Sequence, residues 1–144
     1  MSSTMGNPRL KFDHRRFRSL EGSDLVAYME PLVNDPTVAA DPADLRLIMA
    51  GLADFDEYHL VYAIEFGTDR MPGLFAGEVA RCLAHPCQSV RLAAHRALSR
   101  LPIGEISDEL IDACRGAIAG GAPAAEVGDL PGILASRRLR SAIR

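Results

Sequence analysis

The chain has 144 residues, of which 48% are hydrophobic and 24% charged, and its net charge is −3. This length and composition fit one globular domain that folds without disulfides or a structural metal. No apolar run reaches the roughly 18 residues of a membrane span, and no signal-like stretch begins the chain, so we expect a cytoplasmic protein without membrane contact. The three cysteines are expected to remain reduced thiols.

Charge is distributed unevenly along the chain. Residues 1–20 carry five basic side chains against one acidic side chain, and the last eight residues add four arginines. Residues 21–69 carry eleven carboxylates against Arg46 alone. Because residues 1–20 show no sustained hydrophobic period, they are expected to form a basic N-terminal arm, flexible or docked late, before a single domain over residues 21–144. Such an uneven charge distribution bears on which partners the protein binds and not on its fold.

The first helices are predicted from their caps and stops. Ser23 or Asp24 can cap a helix that ends near Val33. Asp41 and Pro42 then supply an N-cap and a first-turn proline for a second helix. No segment alternates with period two, so an all-α fold without a sheet is expected.

Four further helices follow from the same signals. Asp54 or Asp56 caps one, Pro72 starts the next, and apolar residues at helical spacing from Val90 to Leu101 mark a third. Ser107 caps the fourth, after which the pattern weakens as in a terminal capping unit.

One sequence phrase recurs with a helical-repeat period. Ile48-Met49-Ala50, Cys82-Leu83-Ala84 and Ala117-Ile118-Ala119 are separated by 34 and then 35 residues. This period is typical of helix pairs that bury their apolar faces against copies of themselves. Proteins of this kind usually bind other molecules rather than catalyse reactions.

Residues 83–101 resemble a HEAT repeat, and the match extends over residues 72–101. The matching positions are a turn proline, the start of the second helix, and small or apolar residues along it: Pro86, Val90, Arg91, Ala94 and Leu98. The resemblance implies a short α-α superhelix of about three HEAT-like hairpins with a degenerate C-terminal capping unit. It also implies a structural role for Arg91 in polar contacts between units, although His85 replaces the usual aspartate before the turn.

Catalytic and metal-binding constellations are weak. Cys82, His85 and Cys87 contain ligand atoms suited to zinc, but their spacing lacks a CxxC pair or a helical histidine pair. No nucleophile elbow or phosphate-binding glycine loop is present. We therefore expect no metal, no cofactor and no enzymatic activity, and whether these three side chains have a redox or metal role stays open.

Nucleic acid binding is disfavoured by charge. The resembled family includes HEAT-like DNA glycosylases, which hold a duplex against a basic concave face, but the body of this chain is acidic and lacks tryptophan. The terminal arginines would form one basic patch only if the two ends of the chain met.

The sharpest candidate site is acidic and aromatic. If Ala63 and Ile64 face the core, Tyr58 and Tyr62 share the opposite helix face with nearby carboxylates. Tyrosines are frequent in binding hot spots, and acidic neighbours would steer a basic partner towards them. In the alternative interpretation, both tyrosine rings pack under the preceding helix and have only a structural role. The predicted partner-binding residues are Asp54, Asp56, Glu57, Tyr58, Tyr62, Glu65 and Asp69.

These features favour a non-catalytic binding module whose acidic half engages a basic protein. A bacterial immunity protein that neutralises a cognate basic toxin, for example a secreted toxin effector, is the most specific form of this hypothesis. An adaptor subunit of a protein complex and a nucleic-acid-binding HEAT-like protein are the alternatives. The partner's identity, the oligomeric state, and whether the basic arm masks the acidic face are left open.

Overall fold

The computed structural model describes residues 11–123 and 128–143, and within these ranges its secondary structure is helical, with no strand. This confirms the predicted all-α class. The described residues form eight α-helices, which are joined by turns and three short 3-10 segments. In chain order the α-helices are α1 His14–Ser19, α2 Gly22–Asn34, α3 Pro42–Ala50, α4 Glu57–Arg70, α5 Pro72–Arg81, α6 Gln88–Ser99, α7 Asp108–Ala119 and α8 Leu130–Ile143.

Most helix starts follow the predicted caps. The Asp41 carboxylate accepts a 2.9 Å hydrogen bond from the backbone N–H of Ala43, and the hydroxyl of Ser107 accepts one of 3.1 Å from Leu110. The cap predicted at Ser23 or Asp24 is wrong, because α2 already begins at Gly22. Gly22 has a φ of 55°, a value that glycine adopts easily and that turns the chain from α1 directly into α2.

The helices pack in two alternating series. The odd-numbered helices contact one another in the order α1, α3, α5 and α7, and the even-numbered helices contact one another in the order α2, α4, α6 and α8. Each odd helix also contacts the even helix that follows it. The described residues therefore contain four successive helix pairs, one more than the three units expected from the sequence, and the extra pair is α1 with α2.

The segment assigned to a basic arm contributes to the core. Phe12 and Phe17 are 4% and 0% exposed, and the Phe12 ring stacks on Phe66 of α4 at a centroid distance of 4.7 Å. Arg18 donates a 3.1 Å hydrogen bond to the carbonyl oxygen of Leu47. Residues 11–20 are thus packed as part of the helical domain, because two phenylalanines bury more apolar surface than a solvated arm would allow.

The closest helix contacts depend on small residues. Ala93, Ala94 and Ala97 of α6 are buried, and α6 packs against α4. Where α4 meets α5, Gly67 faces the Phe75 ring so closely that a Cβ atom built on it would lie 2.4 Å from ring carbons.

The residues that carry the HEAT resemblance form the second helix and its turn. Val90, Ala94 and Leu98 are each 0% exposed, whereas Pro86 is exposed. Arg91 Nη1 donates 2.9 Å hydrogen bonds to the carbonyl oxygens of His85 and Pro86. His85 Nδ1 accepts a 3.0 Å bond from the backbone N–H of Cys87. His85 thus acts as the side-chain acceptor at the position where the resembled family has aspartate.

Candidate protein-interaction surface

An exposed acidic patch surrounds the start of α4. It consists of Asp54, Asp56, Glu57 and Tyr58, all of which are exposed. Tyr58 has the most exposed side chain among the large apolar and aromatic residues described, at 63%. An aromatic ring that is well exposed among carboxylates offers apolar contact area within a negative field, which suits a basic protein surface.

The acidic patch is fastened to α1 through His59. Asp56 caps α4 by accepting a 2.8 Å bond from the His59 backbone N–H, and its oxygens lie 2.9 Å from His59 Nδ1. His59 Nε2 lies 3.0 Å from the carbonyl oxygen of Phe17. Both ring nitrogens of His59 therefore face oxygen acceptors, one on the Asp56 carboxylate and one on the Phe17 backbone. Burial raises the pKa of Asp56, but the hydrogen bonds from His59, the His59 charge and a backbone hydrogen bond from Tyr58 together lower it.

Tyr62 lies apart from this patch. It is 9% exposed, and its hydroxyl donates a 2.8 Å hydrogen bond to Glu30 Oε2 on α2. Burial, with a further effect of Glu30, raises the pKa of Tyr62 to about 12. Of the two arrangements that the sequence left open, Tyr58 has the exposed one and Tyr62 the packed one.

The other predicted residues of α4 line a groove, which we call the α4 groove. It has a volume of about 460 Å³ and lies between α2, α4 and α6. Its charged and hydroxyl-bearing side chains are Glu30, Tyr62, Glu65, Asp69, Arg96 and Arg100. A smaller cavity of about 70 Å³ shares Glu65, Asp69 and Arg100 with the groove and is also lined by Thr68. The structure therefore separates the seven predicted residues into a patch and a groove.

Glu65 is a half-buried carboxylate with no hydrogen bond or ion pair in the part of the chain that the structure describes. Burial raises its pKa, and Glu30 raises it further, while Arg96 and Arg100 act in the opposite direction without cancelling the effect. In the folded protein the Glu65 carboxyl group therefore stays protonated up to a higher pH than in the unfolded chain.

Replacing Glu65 with glutamine should therefore change stability in a pH-dependent way. Since the folded pKa is raised, the contribution of Glu65 to stability is greatest below the unfolded pKa of about 4.3 and is lost as the pH rises through the folded pKa. Glutamine does not ionise, so Glu65→Gln should equal the wild type near pH 4 and exceed it at pH 7. Urea unfolding at both pH values measures the difference, and a difference that stays constant with pH would contradict the raised pKa of Glu65.

Next to Asp69 lies Arg70, an arginine with a structural role that the sequence analysis did not identify. Arg70 Nη1 pairs with Asp69 at 2.9 Å, and the Arg70 side chain is only 10% exposed. Its other nitrogens donate bonds of 2.8 to 3.1 Å to the carbonyl oxygens of Leu32, Asp35 and Val38. Arg70 thus ties the end of α2 and the following loop to α4.

Of the three cysteines, Cys114 is buried, and Cys82 and Cys87 are half-buried. Burial raises the pKa of Cys82 and of Cys114 to about 11, so both are protonated at neutral pH and poorly nucleophilic. Within the described ranges, no group of three His, Cys, Asp or Glu side chains is arranged to hold a metal ion, and this includes the neighbourhood of Cys82, His85 and Cys87. Cys87 and His85 instead contact each other through the turn bond to the Cys87 N–H.

Several terminal arginines serve intramolecular contacts. Arg137 of α8 donates hydrogen bonds to the carbonyl oxygens of Ser99 and Leu101, and Arg138 pairs with Asp108. Arg16 lies over the Tyr28 ring at 5.3 Å. The helices that carry these groups pack on different neighbours, α1 on α2 and α3 and α8 on α6 and α7. Arg144 lies outside the described residues.

The sequence did not predict Glu30, Arg96 and Arg100 as members of a site. Arg96 and Arg100 are four residues apart, one in α6 and one just after it, so the sequence could have indicated that they share a helix face. Only the packing of α6 on α4 brings them to Glu65.

No helix of the described ranges is long and apolar enough to cross a membrane.

Comparisons with protein-family models, curated proteins and solved structures found no match to this chain. The arrangement of its own side chains is therefore the basis for assigning a function.

Proposed function

We propose that this protein is a non-catalytic, HEAT-like binding module whose acidic half engages a positively charged protein. The observation that carries the proposal is the acidic patch, where Tyr58 is 63% exposed among the carboxylates of Asp54, Asp56 and Glu57. The link from Asp56 through His59 to α1 holds the start of α4 in a fixed position. An aromatic group carried on a fixed backbone loses less conformational freedom when it binds, which favours a hot-spot role.

The HEAT-like form of the module is supported by the packing order. Alternate helices contact each other along the chain, which is expected when helix pairs stack on copies of themselves. The period of 34 to 35 residues in the sequence agrees with this arrangement. A stack of helix pairs exposes an extended surface that suits protein binding.

A non-catalytic role is supported by the state of the reactive groups. The thiols of Cys82 and Cys114 are protonated at neutral pH, and Tyr62 and His59 are bound to structural partners. The specific form that we propose is an immunity protein, whose acidic patch covers the basic substrate groove of a toxin that acts on nucleic acid. Binding there would compete directly with the toxin's anionic substrate.

The test compares three baits in lysates of the native host: the wild type, the double variant Glu57→Lys with Tyr58→Ala, and the control variant Glu109→Lys. Glu57 and Glu109 both lie in the first turn of a helix, so both replacements lose the same favourable interaction with the helix dipole. The wild type and the control should capture one basic protein, and the double variant should lose it by about a hundredfold in affinity.

Capture that is equal for all three baits, or recovery of nucleic acid alone, would contradict the proposal. Co-expression separates the immunity form from an adaptor. If expression of the captured protein alone stops cell growth and co-expression of this chain restores growth, the result supports an immunity protein. A harmless captured protein that also binds further subunits favours the adaptor instead.

A further inference from the structure

The α4 groove contains charged and polar groups that the described residues leave without partners. Glu65 has neither a hydrogen bond nor an ion pair there, and the Thr68 hydroxyl is buried without a hydrogen-bond partner. Thr68 is 3% exposed and lines the small cavity that adjoins Glu65. Buried hydroxyls are nearly always hydrogen-bonded, so the Thr68 hydroxyl is unusual, but it lies beneath the surface, and the group that an incoming molecule can reach is the half-buried Glu65 carboxylate.

The opposite wall of the groove is basic. Arg96 and Arg100 form no ion pair within the described ranges, although both affect the pKa of Glu65. In contrast, Glu30 accepts the Tyr62 hydroxyl bond and Asp69 pairs with Arg70, so these two carboxylates already have partners. As far as the described residues go, the groove therefore presents one unpaired carboxylate and two unpaired guanidinium groups.

The charges on the two walls of the α4 groove determine which kind of chemical group can bind in it. A lone cation at Glu65 would be repelled by Arg96 and Arg100, and a lone anion at the arginines would be repelled by Glu65 with its acidic neighbours. A group that carries both signs satisfies both walls. Arginine suits Glu65 better than lysine, because the planar guanidinium can donate two parallel hydrogen bonds to one carboxylate.

We propose that the α4 groove binds a segment of the partner protein in which an arginine stands next to an acidic residue. The guanidinium faces Glu65, and the acidic side chain faces Arg96 and Arg100. This inference rests on the proposed function, since it names the chemistry by which the same partner would reach beyond the acidic patch. It places a second contact on α4, C-terminal to Tyr58 along the same helix.

The test needs no identified partner. The full-length protein is titrated with the capped dipeptide acetyl-Arg-Glu-amide while backbone amide signals are followed by NMR. The matched probes are acetyl-Arg-Gln-amide, acetyl-Gln-Glu-amide and acetyl-Lys-Glu-amide. The first probe should shift the signals of Glu65, Thr68 and Arg100 and bind about tenfold more tightly than each probe that lacks one charge.

Variants then separate the groove from nonspecific charge. Glu65→Gln should weaken binding of acetyl-Arg-Glu-amide about tenfold, because it removes the charged carboxylate that pairs with the guanidinium. Glu109→Gln, on the exposed start of α7, should leave it unchanged.

Three results would each overturn the inference: equal binding of the single-charge probes, no shifts in the groove, or full binding by Glu65→Gln. Partner capture tells this failure apart from failure of the proposed function. If the dipeptide does not bind but capture still depends on Glu57 and Tyr58, the groove inference is wrong while the proposed function stands.

Discussion

Replacing Arg70 with methionine is expected to lower the free energy of unfolding by about 3 kcal/mol, which corresponds to a fall in Tm of about 10 °C. Methionine retains an unbranched apolar side chain but removes the guanidinium, whose carbon lies 4.0 Å from the centroid of the Phe66 ring. It removes every donor to the carbonyl oxygens of Leu32, Asp35 and Val38. Thermal and urea unfolding measure the loss.

Two further variants show whether the hydrogen bonds cause this loss. Arg70→Lys keeps the charge but cannot reach three carbonyl oxygens at once, so it should lose about half as much stability. Arg81→Ala removes an exposed pair with Glu78 and should change stability by less than about 0.5 kcal/mol. If Arg70→Met were as stable as Arg81→Ala, Arg70 would not clamp α2 to α4.

Replacing Gly67 with alanine is expected to lower the free energy of unfolding by about 2 kcal/mol, although alanine is the better helix former. The new methyl group would lie 2.4 Å from carbons of the Phe75 ring, and that ring is 0% exposed. The α4 and α5 helices would have to move apart. Chemical unfolding measures the effect.

The matched control is another helical glycine, Gly77 of α5. A Cβ atom added to Gly77 would have no atom within 4 Å, so Gly77→Ala should raise stability by about 0.5 to 1 kcal/mol. Adding Phe75→Leu to Gly67→Ala should restore part of the loss, because the shorter side chain makes room for the methyl group. Stabilisation by Gly67→Ala alone would show that α4 and α5 are not in close contact.

Local signals predicted most helix boundaries. Asp41 and Ser107 bond to the backbone two or three residues ahead, so the sequence alone places these caps. The apolar spacing in α6 likewise identified Ala94 and Leu98, which are fully buried. These features depend on residues within one or two helical turns, which is the range over which sequence patterns are informative.

Features that depend on distant packing were not predicted. The α1 helix has six residues, too few to show a hydrophobic period, and its arginines conceal the buried Phe17. The helical spacing of α4 placed Tyr62 opposite the core-facing residues, yet its hydroxyl is bonded to α2, because α4 contacts α2, α5 and α6. The α4 groove joins residues from three helices that are far apart in the sequence, so only the fold brings Glu30, Glu65 and Arg96 together.

Hydrogen exchange of the full-length protein, alone and with its captured partner, tests the central claim most directly. If the acidic half is the binding surface, the partner should slow exchange of backbone amides at the start of α4 and along the α4 groove, while α7 and α8 exchange as they do in the free protein. Protection confined to α7 and α8, with α4 unchanged, would contradict the claim.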